Sequence, residues 1–171
     1  MEAAEGTGVK LFVMPNNTHE LHIGSAYQSS PTGKYESYTS YSDYLVDYSQ
    51  YDAFEGFYAF DEPDTLDYTG NNQTFEQFDW IAENYQNYKV DYPGYSYLVT
   101  LMSRDKLTPQ KVYFDTYGQR VLDKMDPKDK IISYDNYPLV YNAKLDKVCL
   151  ASESVEGFAI AAYTAKKYNA K

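Results

Sequence analysis

Apolar residues along this chain fall into two patterns, short continuous runs and stripes that recur every three or four positions. The runs are Gly8-Val9-Lys10-Leu11-Phe12-Val13-Met14-Pro15, Gly56-Phe57-Tyr58-Ala59-Phe60-Asp61-Glu62-Pro63, Tyr95-Ser96-Tyr97-Leu98-Val99-Thr100-Leu101 and Lys130-Ile131-Ile132-Ser133-Tyr134-Asp135. Such runs, bounded by glycine or proline, predict buried strands. The first stripe is Tyr35, Tyr38, Tyr41, Tyr44, Tyr48 and Tyr51. Its spacing is helical, and the Ser/Thr-rich start frays, which places a helix over 40–51. Phe75, Phe78, Ile81, Tyr85 and Tyr88 form a second face, with Trp80 on its flank. Thr74-Phe75-Glu76-Gln77 opens it as a capping box and Pro93-Gly94 closes it. Thr108-Pro109 opens a third helix, with Thr as cap and Pro at the first helical position. Its face is Val112, Tyr113, Tyr117, Val121 and Met125, and Asp126-Pro127 stops it. The tail from Ser154 to Tyr168 reads as a last helix, through Phe158, Ala161, Ala162, Ala165 and Tyr168.

Strand and helix therefore alternate four times. That order predicts an α/β fold, a parallel sheet of about four strands joined by right-handed crossovers. Four units make either a small open sheet or half of an eight-stranded barrel. The polar stretch from Asn16 to Lys34, with Gly24, Pro31 and Gly33, reads as a long loop. Only seven residues precede the first strand, and Glu2-Ala3-Ala4 looks like the end of a preceding helix. The expectation is one domain over 1–171, cut from something larger.

Charge narrows the partners. The 171 residues carry 25 acids against 15 bases, a formal net charge of -10. Phosphate binding needs clustered Lys and Arg, so nucleic acid is not an expected partner, and anionic membrane surfaces are disfavoured likewise. No apolar run reaches the ~20 residues of a membrane helix, so no membrane insertion is expected. Met1 to Gly6 lacks a basic region and an apolar core and is no signal peptide. A single cysteine, Cys149, excludes a disulfide framework and a cysteine-rich zinc site, and reads as a small buried hydrophobe. His19 and His22 flank Glu20 closely, and read as surface imidazoles rather than metal ligands. No metal or cofactor is expected. Tyrosine, at 21 residues, is the compositional outlier. Its flat apolar face and polar tip suit sugars and interfaces, and also ordinary cores, where most of these tyrosines are expected.

The chemistry lies at the strand ends. Parallel strands bring acids at their carboxyl ends to one edge of the sheet, where α/β folds bind ligands. Here the acids are Asp61 and Glu62 after the second strand and Asp135 after the fourth, with Asn16 after the first and Ser103 after the third. Glycosidases need two carboxyl groups flanking the scissile bond, one of them protonated through burial or a neighbouring like charge. Strict alternation groups Tyr58, Phe60 and Glu62 on one face, and Phe57, Ala59 and Asp61 on the other. Glu62 is the candidate proton donor, Asp61 its orienting neighbour and Asp135 the second carboxylate. The alternative is that these acids cap helices or bind turn amides.

The run Gly56-Phe57-Tyr58-Ala59-Phe60-Asp61-Glu62-Pro63 resembles the G-x-Y-x-x-D-E-P strand of bacterial glycoside-hydrolase-like (β/α)8 barrels. Ile132-Ser133-Tyr134-Asp135-Asn136-Tyr137-Pro138 is similar to the I-S-Y-D-x-Y-P strand that such proteins carry two strands later. Tyr95 to Leu101 takes the slot of a Y-x-N-L strand, with Thr100 in place of the asparagine. The resemblance covers about residues 8–140. It implies the third to sixth strands of a barrel, with Glu62 in the fourth-strand acid/base position. The seventh-strand nucleophile of such enzymes has no counterpart here, and Asp-Glu stands where Asn-Glu is common. The implied partner is carbohydrate, with Asn16, Tyr58, Tyr134, Asn136 and Tyr137 as further substrate contacts, and the implied setting of the parent protein is extracellular or at the cell surface. A half barrel leaves two open sheet edges, which raises homodimerisation as a hypothesis. The alternative functions are a non-catalytic carbohydrate-binding or surface-interaction module, and an open flavodoxin-like sheet binding a small anion. The last lacks a glycine-rich phosphate loop, since Pro15-Asn16-Asn17-Thr18 is not one.

Overall fold

All four predicted strands join one parallel sheet, and they stand in it in chain order, β1-β2-β3-β4. The computed structural model describes residues 1–13, 48–63, 65, 74–102, 108–136 and 139–171. The strands are β1 (Leu11–Val13), β2 (Phe54–Asp61), β3 (Ser96–Leu101) and β4 (Ser133–Tyr134). Helix α1 (Glu76–Asp91) links β2 to β3, and α2 (Gln110–Arg120) links β3 to β4. An antiparallel hairpin, β5 (Leu139–Asn142) and β6 (Lys147–Leu150), precedes the last helix, α3 (Ser152–Tyr168). This is the α/β architecture the alternation predicts. The tyrosine stripe before β2 lies mostly outside the described residues, and Tyr48–Gln50 at its end forms a 3-10 turn. Glu2–Ala4 is likewise a short 3-10 turn.

The core is aromatic because the two helices between strands, α1 and α2, each bury a stripe of rings. Phe78, Ile81, Tyr85 and Tyr88 of α1 are fully buried. Tyr88 meets Phe57 edge-on at 5.9 Å, Tyr85 meets Tyr97 edge-on at 5.5 Å, and Phe78 turns instead to Tyr113 and Tyr117 of α2. Such pairs add to the area they bury. The buried hydroxyls find partners: Tyr88 donates to the Ser96 carbonyl at 2.9 Å and Tyr97 to Asn84 at 3.0 Å. The tyrosine excess is thus used largely as core filling that keeps its polar tips satisfied.

Two glycines mark close approaches. A Cβ on Gly56 would sit 1.8 Å from the Ser96 carbonyl oxygen, so β2 and β3 pair there only without a side chain. A Cβ on Gly118 would meet the Tyr168 ring at 2.1 Å, which is how α3 seats on α2.

Several expected details are corrected. Phe75, in left-handed conformation, is the N-cap of α1, and Thr74 Oγ1 instead accepts the Glu76 N–H at 3.4 Å. Pro109 rather than Thr108 is the N-cap of α2, and the Thr108 hydroxyl is spent on Thr65, 2.9 Å away in the interior. Val112 is exposed, and Phe114 takes its place beside Tyr113 and Tyr117. On α3 the buried stripe is Gly157, Ala161, Thr164 and Tyr168, leaving Phe158 and Ala162 exposed. That stripe passes through a threonine, which an apolar count skips. Cys149 is not buried, because it lies on β6 of the hairpin, whose Tyr141 and Val148 also face solvent.

Candidate functional site

The carboxyl end of β2 departs from strict alternation. Register runs Gly56↔Ser96, Phe57↔Tyr97, Tyr58↔Leu98, then jumps to Phe60↔Val99 and Asp61↔Thr100. Ala59 is the extra residue of a bulge, and a bulge reverses the faces of everything after it. Side-chain contacts follow the jump. Phe57 packs on Tyr88 and Phe60 on Trp80, 5.6 Å away, so both face α1. Tyr58 and Asp61 share the opposite face, where the Tyr58 hydroxyl donates to Asp61 Oδ1 at 2.5 Å. This overturns the grouping of Tyr58 with Phe60 and of Phe57 with Asp61.

Glu62 follows immediately, with φ 45°, a left-handed conformation costing a non-glycine residue about 1 kcal/mol. Its N–H still reaches the Thr100 carbonyl at 2.8 Å, one rung beyond the strand. On the next strands, the Asp135 N–H donates to the Leu101 carbonyl at 2.9 Å, and Thr100 and Ser133 hydroxyls meet at 3.1 Å. Partial withdrawal from water, then the charges of Asp135 and Asp61, raise the Glu62 carboxyl above the usual glutamate range. Burial and the bond to Asp61 push the Tyr58 phenol up, so it stays a neutral donor. Thr100 bonds Tyr58 as well, and links the two halves of the group. The structure thus brings Tyr58, Asp61, Glu62 and Asp135 together.

It does not bring Tyr134 to them. The Tyr134 ring packs between Phe114 of α2 and Phe158 of α3, at 5.6 and 5.8 Å, on the helix side of β4. Asn136 is half-buried beside it and donates to the Tyr134 hydroxyl at 3.4 Å. Asn16, Ser103, Tyr137, His19 and His22 lie outside the described residues. Three residues that sequence reasoning passed over shape the site. Thr100 was visible only as a departure from an expected asparagine. Ser133 gave no signal beyond its strand. Tyr113, read as plain core, donates to the Pro63 carbonyl at 2.5 Å and accepts the Met102 N–H at 3.4 Å.

Among the described residues no group of three or more His, Cys, Asp or Glu is disposed to hold a metal ion, and no helix is long and apolar enough to cross a membrane. Compared with known proteins, the chain matches no family model, no curated protein and no solved structure.

Proposed function

We propose that this chain acts on carbohydrate at the carboxyl end of its sheet, hydrolysing glycosidic bonds by carboxylate acid/base catalysis. Glu62 is the proton donor, Asp61 with Tyr58 its orienting pair, and Asp135 the second carboxylate. The observation that carries the reading is the placement of Glu62 beside two further acids, Asp61 and Asp135, at the carboxyl end of the sheet. Like charge and partial burial both act to raise a carboxyl, which is the direction a general acid needs. The sheet's chain order supports the barrel part of the reading. A doubly wound sheet reverses its order at a switch point, whereas a barrel wedge runs straight through.

The test is hydrolysis of a panel of polysaccharides and aryl glycosides. Glu62→Gln is expected to lose about 10²- to 10⁴-fold in kcat on substrates with poor leaving groups. The loss is smaller on activated dinitrophenyl glycosides, which need little protonation. Hydrolysis that survives Glu62→Gln on both substrate types removes the assignment. Sugar binding without turnover replaces it with the binding module.

A further inference from the structure

We infer that Tyr113 is a positioning residue for this site: its buried hydroxyl ties the carboxyl ends of β2 and β3 together and so fixes where Glu62 stands relative to Thr100 and Asp135. The kinetic part of this inference rests on the proposed function, and the geometric part does not.

Tyr113 lies in the first turn of α2 and is fully buried. Its ring is held by Phe78 at 5.3 Å and Phe114 at 5.7 Å, so the hydroxyl cannot move unless the ring does. A phenol has one proton to give and lone pairs to receive. Tyr113 gives its proton to the Pro63 carbonyl and receives the Met102 N–H. Pro63 directly follows Glu62 and has no N–H of its own, so its carbonyl is the main-chain group left to anchor it. Met102 directly follows Leu101, whose carbonyl takes the Asp135 N–H. One hydroxyl therefore reaches both acid-bearing ends, those of β2 and β4, through main-chain bonds that pass by way of β3. The left-handed backbone at Glu62 is not self-supporting and persists only where its surroundings over-determine it. Here its N–H is fixed to Thr100 on one side and the next carbonyl to Tyr113 on the other.

Tyr113→Phe keeps the ring and removes the tie. Tyr85→Phe is the control, because it removes another buried tyrosine hydroxyl, one bonded to Asp129 before β4. Both are measured in the full chain, by thermal unfolding, by carboxyl NMR titration of Glu62, and by kinetics on a glycoside that the wild type cleaves. Tyr113→Phe is expected to move the Glu62 midpoint down toward an ordinary glutamate. It also lowers kcat about ten- to a hundredfold with KM little changed, and shifts the alkaline limb of the pH profile to lower pH. Tyr85→Phe is expected to lower Tm and leave the Glu62 midpoint alone. An unmoved midpoint in Tyr113→Phe, or an equal movement in both variants, overturns the inference. If the wild type cleaves no glycoside but Tyr113→Phe still moves the midpoint, the hydrolase reading fails and the positioning role stands.

Discussion

Both ends of the sheet place a tyrosine hydroxyl on an aspartate, and the surroundings give the two pairs opposite characters. At the amino end Tyr85 donates to Asp129 at 2.8 Å, and Lys89 completes the group, its ammonium 2.9 Å from the same carboxylate. Lys89 also donates to the Tyr95 carbonyl at 3.1 Å, and the Asp126 N–H to the Tyr85 hydroxyl at 3.0 Å. The Asp129 side chain is wholly buried, and its charge is met by an opposite one. At the carboxyl end Tyr58 donates to an exposed Asp61, and the charges acting on neighbouring Glu62 are those of other acids. The first arrangement serves the fold. The second works against it, and acids placed that way are suited to exchanging protons with something outside the chain. The Tyr–Asp pair is common to both ends, and what separates them is the charge beside it, Lys89 at one and Glu62 with Asp135 at the other.

The widest gap between them comes from removing the cation. Lys89→Met leaves Asp129 buried beside no opposite charge and is expected to cost about 3–5 kcal/mol in urea unfolding. A loss below about 1 kcal/mol would mean that the amino end is not the balanced structural pair described. Removing the two hydroxyls gives a smaller, graded contrast. Tyr85→Phe strips a donor from a buried carboxylate and is expected to cost about 1–3 kcal/mol. Tyr58→Phe strips one from an exposed carboxylate that water can solvate, and is expected to cost about 1 kcal/mol or less. Equal costs would erase the distinction between the ends.

The difference between the ends could be read from the sequence only in part. Strand positions followed from runs closed by Gly or Pro, and the α1 face from Phe78, Ile81, Tyr85 and Tyr88. These depend on local periodicity, which a chain carries within about a dozen residues. The grouping of acids at strand ends also followed, because parallel order fixes which ends meet. The faces did not follow, because the bulge at Ala59 is set by pairing against β3 some forty residues away. Lys89 and Asp129 could not be matched for the same reason, nor Tyr113 with Pro63. Each is a contact between distant segments that no periodicity announces. The hairpin β5–β6 was missed because its strands are short and exposed on much of their surface. An uncovered hairpin lacks the apolar run that marks a buried strand.

The finest test of the comparison is the pH dependence of stability at Glu62. Its carboxyl is raised in the folded chain above the ordinary value of 4.5, so the fold binds that proton more tightly than the unfolded chain does. In the window from that ordinary value up to the raised one, the unfolded chain releases its proton first. Stability therefore falls as pH rises through the window, and the full penalty remains above it. Glu62→Gln removes the penalty without changing the side chain's length. The variant is expected to be more stable than the wild type at pH 7, by about half a kcal/mol given the screening of an exposed group. It should show no such gain at pH 3, where both side chains are neutral. Urea unfolding at the two pH values measures the difference. A variant less stable than the wild type at pH 7 would mean that the fold uses the Glu62 charge. The carboxyl end would then be a structural pair like the one opposite.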